Sequence, residues 1–212
     1  MTALVALSVS DFSLALASDA PAPGGGSAAA AAGASGAALL AMVVRLTVGK
    51  EKYRASWPEL EPLTARLEEV RVRLLELVDE DTAAFDAVVA ARRLPKDEPE
   101  AAARRTRAID EANLVATTVP MQTAFFAHEA LKTAPLVLEK GNLNAASDAW
   151  VAALLLHGAA LGALANVRIN LPGVNDPELS RGFREDADGL ERRAAQALAE
   201  THALAKARHL TL

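Results

Sequence analysis

The chain has 212 residues, 51% apolar and 23% charged, enough to build one buried core and to exclude wholesale disorder. Lys plus Arg number 22 against 27 Asp plus Glu, a net charge of −5, and this mildly acidic balance lacks the basic footprint of a nucleic-acid partner. Cysteine is absent, which removes disulfides, thiolate nucleophiles, iron–sulfur clusters and Cys-bound zinc, and fits a reducing cytoplasm. Aromatic residues are only 4%. The apolar content is mainly Ala, Leu and Val, which suits closely packed helices better than a β-sandwich.

The first 17 residues are fairly apolar, but no Lys or Arg precedes them and Asp11 interrupts them, so no secretory leader is expected. Ser10 or Asp11 is placed to cap a short helix ending near Leu16. A loop from Ser18 to Gly26 follows. Ser27 is then predicted to cap an Ala/Leu-rich helix from Ala28 to about Lys50, with Gly33, Ala37 and Ala41 permitting close helix approach. Pro58 and Pro62 open a long third helix that reaches about Arg93, and Pro95 ends it. A fourth helix is expected from Glu100 to about Lys132, with a kink or break at Pro120. Leu136 to Lys140 completes that region and Gly141 punctuates it. A fifth helix starts near Asn144 or Ser147 and runs to about Ile169, where Pro172 and Gly173 stop the pattern. The last, from Pro177 to about Arg208, is amphipathic and highly charged.

Two uncharged stretches, Ala20 to Val44 and Ala149 to Val167, are long enough to cross a membrane. The first is dominated by weakly hydrophobic Ala, Gly and Ser, and the second contains His157 and Asn166, so both read as buried central helices and no membrane partner is expected. With no strand pattern, no repeat and no dividing linker, the chain reads as one all-α domain over residues 1–212. It is a helical bundle with two apolar central helices surrounded by amphipathic ones.

In the third helix the apolar residues Leu63, Leu67, Val70, Leu74 and Leu77 recur at steps of four, three, four and three. Extending the stripe reaches Asp81, then Ala84 and Val88. A carboxylate on a buried seam is costly unless bonded, and its pKa is open to shifts useful in acid–base work. A structural aspartate bonded to another helix would occupy the same place. Asp79 and Glu80 fall off the seam and are expected in solvent.

The run Pro21-Ala22-Pro23-Gly24-Gly25-Gly26-Ser27 leads directly into a helix. Its glycines permit close backbone approach, and a helix start offers free N–H groups. It is neither a Walker loop nor a dinucleotide fingerprint, since no Lys-Ser or Lys-Thr follows and no strand precedes it. Polar residues also crowd Gly141-Asn142-Leu143-Asn144-Ala145-Ala146-Ser147-Asp148, though Asp148 is good first-turn helix chemistry in its own right. Asn166, on the same face as Asp148, stands about 27 Å further along a continuous helix. Lys50 and Lys96 follow helix ends, where they are solvated or placed to hold an anionic tail. The four histidines form no metal-ligand spacing and no metal site is expected.

These segments, together with Leu46-Thr47-Val48-Gly49-Lys50, Leu94-Pro95-Lys96, Val119-Pro120 and Asn166-Val167-Arg168-Ile169-Asn170-Leu171, resemble the cyclodeaminase domain of formiminotransferase-cyclodeaminase and its stand-alone bacterial relatives. Those relatives are formimidoyl-tetrahydrofolate cyclodeaminases or methenyl-tetrahydrofolate cyclohydrolases. The likeness runs from about Leu14 to Leu171 and includes no formiminotransferase domain. It implies a helical subunit that binds a folate and assembles as a homodimer or higher homo-oligomer. It implies no metal and no cofactor beyond the tetrahydrofolate substrate. The essential aspartate of that family falls on Asp81, the glycine loop on Pro23, Gly24, Gly25, Gly26 and Ser27, and the polar segment on Asn142, Asn144 and Asp148. Lys50, Lys96 or the helix start at Gly24 to Ser27 would hold the glutamate tail. Trp150 departs from the small residue common there. The expected activity is ring closure of 5-formimidoyl-tetrahydrofolate with loss of ammonia, or hydrolysis of 5,10-methenyl-tetrahydrofolate. A non-catalytic helical folate-binding or oligomerisation module is the alternative.

Overall fold

The computed structural model describes residues 3–210, and no strand occurs among them. The helices are α1 (Val9–Leu16), α2 (Gly25–Arg45), α3 (Trp57–Arg92), α4 (Pro99–Leu131), α5 (Ala134–Lys140), α6 (Ala146–Asn170) and α7 (Pro177–Ala207), with short 3₁₀ segments before α1 and in the α2–α3, α5–α6 and α6–α7 connections. Four of them form the body. α2 packs on α3 and α6, α4 packs on the same two from the other side, and α7 covers α6, α4 and α5.

Small residues set the spacing of α2 and α6. A Cβ on Gly36 would lie 2.7 Å from Leu156 Cγ and 3.0 Å from the Ala152 carbonyl, and a Cβ on Gly33 3.3 Å from that of Ala159. A Cβ on Gly162 would lie 3.5 Å from that of Ala29. The two helices therefore run antiparallel with backbones nearly in contact, and the apolar seam of α3 (Leu67, Val70, Leu74, Leu77) closes over them fully buried. Both α2 and α6 are long and apolar enough to span a membrane, and 61% and 44% of the relevant stretches are buried inside the bundle.

Several helix ends differ from the sequence expectation. α1 is capped by Ser8, whose Oγ accepts from Asp11 N–H, rather than by Ser10 or Asp11. α2 begins at Gly25, so Ser27 is inside its first turn and is not its cap. It ends at Arg45 rather than near Lys50. The chain turns at Gly49, whose φ of +86° is a left-handed conformation that glycine adopts without strain. α4 runs unbroken through Pro120. A proline has no N–H, so the carbonyl one turn back, Ala116 O, is left free. Asn170 Nδ2 from the end of α6 donates to that carbonyl at 2.6 Å. Asp79 and Glu80 are also engaged rather than simply solvated. Asp79 Oδ1 accepts from Leu4 N–H at 2.5 Å, and Glu80 pairs with Arg73.

α3 has 36 residues against 21 in α2. Its last turns run past the start of α2 and pair with the first half of α4, where Val88, Ala91 and Ala112 form a small core of their own.

Candidate active site

The geometry is built on the first turn of α2. The first N–H groups of any helix lack intrahelical acceptors. Here Gly24 occupies the cap position with no side-chain bond to give, and the acceptor comes from another helix. Asp81 Oδ2, on α3, accepts from Ser27 N–H at 2.9 Å and lies 3.1 Å from Ser27 Oγ. Ser27 Oγ is fully buried and donates to Val78 O at 2.8 Å, and it lies 3.2 Å from Thr82 Oγ1. The seam position deduced from periodicity therefore carries a carboxylate that caps a neighbouring helix.

Glycine is required for this contact. A Cβ on Gly26 would stand 2.0 Å from Asp81 Oδ1 and 2.5 Å from its Cγ. The carboxylate occupies the space of the missing side chain. Burial pushes the Asp81 carboxyl above its usual range, and the two Ser27 bonds pull in the opposite direction without cancelling the rise. Asp81 is half-buried, with Oδ2 engaged. Oδ1 and the Gly25 and Gly26 N–H groups have no partner among the described residues. A carboxyl whose proton affinity is raised by burial, set beside a positive helix end, can exchange a proton with a bound molecule.

A residue whose role the sequence left open also lies here. Asn166, on α6, is the nearest side chain to Gly25: a Cβ on that glycine would be 3.5 Å from Asn166 Nδ2. Antiparallel packing of α6 on α2 puts it there, and no local pattern could reveal that. Asn170, one turn on, is committed to Ala116 as described.

The other predicted site residues lie elsewhere. Lys50, Asn142, Asn144 and Asp148 are grouped around the opposite end of α2, which is about 30 Å long. Asn142 is buried and binds that end together. Its N–H donates to Thr47 Oγ1 at 2.9 Å, its Nδ2 donates to Leu46 O at 3.2 Å, and its Oδ1 accepts from Tyr53 at 3.1 Å. Asn144 is exposed and Asp148 half-buried in the first turn of α6. Lys96 is exposed in the turn between α3 and α4, at the tip of their extension. Pro23 precedes the glycines and lines a recess of about 480 Å³ with Asp79, Thr82 and Asp86. Trp150 stacks on His202 of α7, ring centroids 5.6 Å apart, away from Asp81. Among the described residues no three His, Asp or Glu side chains converge as a metal site would require.

Residues 8–189 match the family described as formiminotransferase-cyclodeaminase. A methenyltetrahydrofolate cyclohydrolase of Methylorubrum extorquens is 40% identical over 183 residues, covering 86% of this chain and 88% of that protein. The formimidoyltransferase-cyclodeaminase of Sus scrofa is 36% identical over 176 residues, 82% of this chain but 32% of that longer protein. The crystal structure of a formiminotetrahydrofolate cyclodeaminase from Thermotoga maritima matches 95% of this chain and 97% of its own, with a TM-score of 0.84 and 27% identity.

Proposed function

Because this chain belongs to the formiminotransferase-cyclodeaminase family, we propose that it is an enzyme of tetrahydrofolate one-carbon adducts that hydrolyses the 5,10-methenyl bridge to 10-formyl-tetrahydrofolate. The observation that carries this reading is Asp81, held by Ser27 against the first turn of α2 with one carboxylate oxygen free. The nearly full-length likeness to a cyclohydrolase favours hydrolysis.

The methenyl carbon bears positive charge shared with its two nitrogens. A carboxylate beside it stabilises that cation and accepts the proton of an attacking water. In the first step the water oxygen bonds to the bridge carbon and one water proton passes to Asp81, giving a neutral adduct. In the second, Asp81 returns the proton to N5. The carbon–N5 bond then breaks as the hydroxyl oxygen forms the formyl C=O and releases its own proton to solvent. Burial, by raising the carboxyl's pKa, strengthens Asp81 as the acceptor in the first transfer.

A second reading is supported by the fold shared with the cyclodeaminase of Thermotoga maritima. N10 would attack a formimino carbon, and Asp81 would carry the N10 proton to the amino group, which leaves as ammonia. In either reaction, Lys50, Asn142, Asn144 and Asp148 meet the substrate only if a second copy brings that end of α2 to the glycine end. A homodimer is therefore part of the proposal.

The test adds purified protein to 5,10-methenyl-tetrahydrofolate and follows loss of its near-ultraviolet band against the uncatalysed rate. Accelerated loss, slowed about 10²-fold or more by Asp81→Asn, is the expected result. Growth of the band from 5-formimino-tetrahydrofolate alone would favour the second reading. Folate binding with no turnover of either would leave a binding module.

A further inference from the structure

We propose that Asn166 is the positioning residue of this site, its amide oxygen fixing the molecule that Asp81 deprotonates. The inference deepens the hydrolytic reading above and rests on it.

Three observations lead there. Asn166 Nδ2 donates to Gly162 O, one turn back on α6, at 2.9 Å. A carbonyl can only accept, so the bond identifies the nitrogen and leaves Oδ1 as the free end of the amide. Among the described residues no donor reaches Oδ1.

The amide also lies beside Gly25 while the carboxylate of Asp81 lies over Gly26. Consecutive helix residues project about 100° apart. The two side chains therefore flank the start of α2 from different sides, Asn166 from α6 and Asp81 from α3. The N–H groups of Gly25 and Gly26 in that same turn have no partner among the described residues.

Finally, the two groups are matched in kind. A bound water has two protons to give. With one directed to Asp81 Oδ1 and the other to Asn166 Oδ1, its lone pair is left to face the bridge carbon. Asn166 takes no proton in the reaction. It fixes the direction of attack while Asp81 accepts the proton as the oxygen–carbon bond forms.

Two variants and two readouts test this. Asn166→Ala removes the acceptor and is expected to lower kcat about tenfold or more with a smaller change in KM. Asn166→Asp keeps the shape and adds a carboxylate near Asp81. It is expected to raise the Asp81 titration, followed by ¹³C NMR of labelled aspartate, by about one unit. Gln196→Glu adds the same charge on the outer face of α7 and is expected to leave that titration in place. A wild-type kcat in Asn166→Ala, or an unmoved Asp81 titration in Asn166→Asp, overturns the proposal. A wild-type protein inactive on methenyl-tetrahydrofolate overturns the parent reading and is seen before any variant is made, whereas the NMR titration tests the juxtaposition without turnover.

Discussion

The carboxylate of Asp81 lies in the space that a side chain on Gly26 would fill, with Oδ1 2.0 Å from the position of its Cβ. One residue thus keeps its place because another has no side chain. Gly26→Ala should displace the carboxylate and reduce activity about 10²-fold, since misplacement by an ångström has effects of that order. Gly182→Ala, on α7 with open space around it, serves as the control and should keep the wild-type rate. Initial rates of the two variants decide the matter.

The raised pKa of Asp81 makes a statement about stability as well as chemistry. Its neutral form suits the fold better than its charged form, so its contribution is favourable below the unfolded pKa of about 3.9 and is lost as pH rises through the higher folded value. Asp81→Asn retains an oxygen for the Ser27 N–H and removes the charge. It should melt above the wild type at pH 7, with the gap closing on acidification towards pH 4. Thermal melts across that range check the sign.

Gly36 and Gly158 should respond in opposite directions to the same change. Gly36→Ala drives a methyl into Leu156 and the Ala152 carbonyl and should destabilise by about 1–3 kcal/mol. Gly158→Ala meets nothing within 4 Å. It should stabilise by up to about 1 kcal/mol through helix propensity. Urea midpoints with unchanged slopes would record both effects.

His128 on α4 is buried, and its Nδ1 has no partner among the described residues. Burial first, then Arg193 of α7 and Lys132 just past the end of α4, push its pKa down, while Glu129 pulls it up. The folded state therefore favours the neutral imidazole. Its stabilising effect is complete above the unfolded value of about 6.5 and is lost as pH falls towards and through the folded one. Denaturant titrations at pH 7.5 and 5.5 should show a loss of stability in acid, and His128→Gln should reduce that loss.

Periodicity found Asp81 because burying an apolar seam is a property of one helix, and any polar residue on the seam stands out. The same reasoning assigned Ser27 as a cap and missed that its N–H is itself capped from α3, because that bond joins residues 54 positions apart. It placed Asn166 correctly along α6 relative to Asp148 but had no means of seeing Gly25 across the bundle. The family resemblance put Asn142 and Asp81 in one site, and the fold places them at opposite ends of α2. The helix through Pro120 was unreadable for the same reason: the donor that replaces the missing N–H at the freed carbonyl is on α6.

That replacement has a wider consequence. Along α4 nearly every carbonyl is already bonded one turn ahead, so a neighbouring helix sliding past it would meet a uniform surface. Pro120 leaves one carbonyl in the middle of α4 without its backbone donor, and Asn170 docks there. Sliding α6 by one turn would orphan both groups. The bond therefore acts as a register pin, and Asn166 stands a single turn before it on the same helix. A missing hydrogen on α4 thereby sets the height at which an amide on α6 meets the glycine turn of α2.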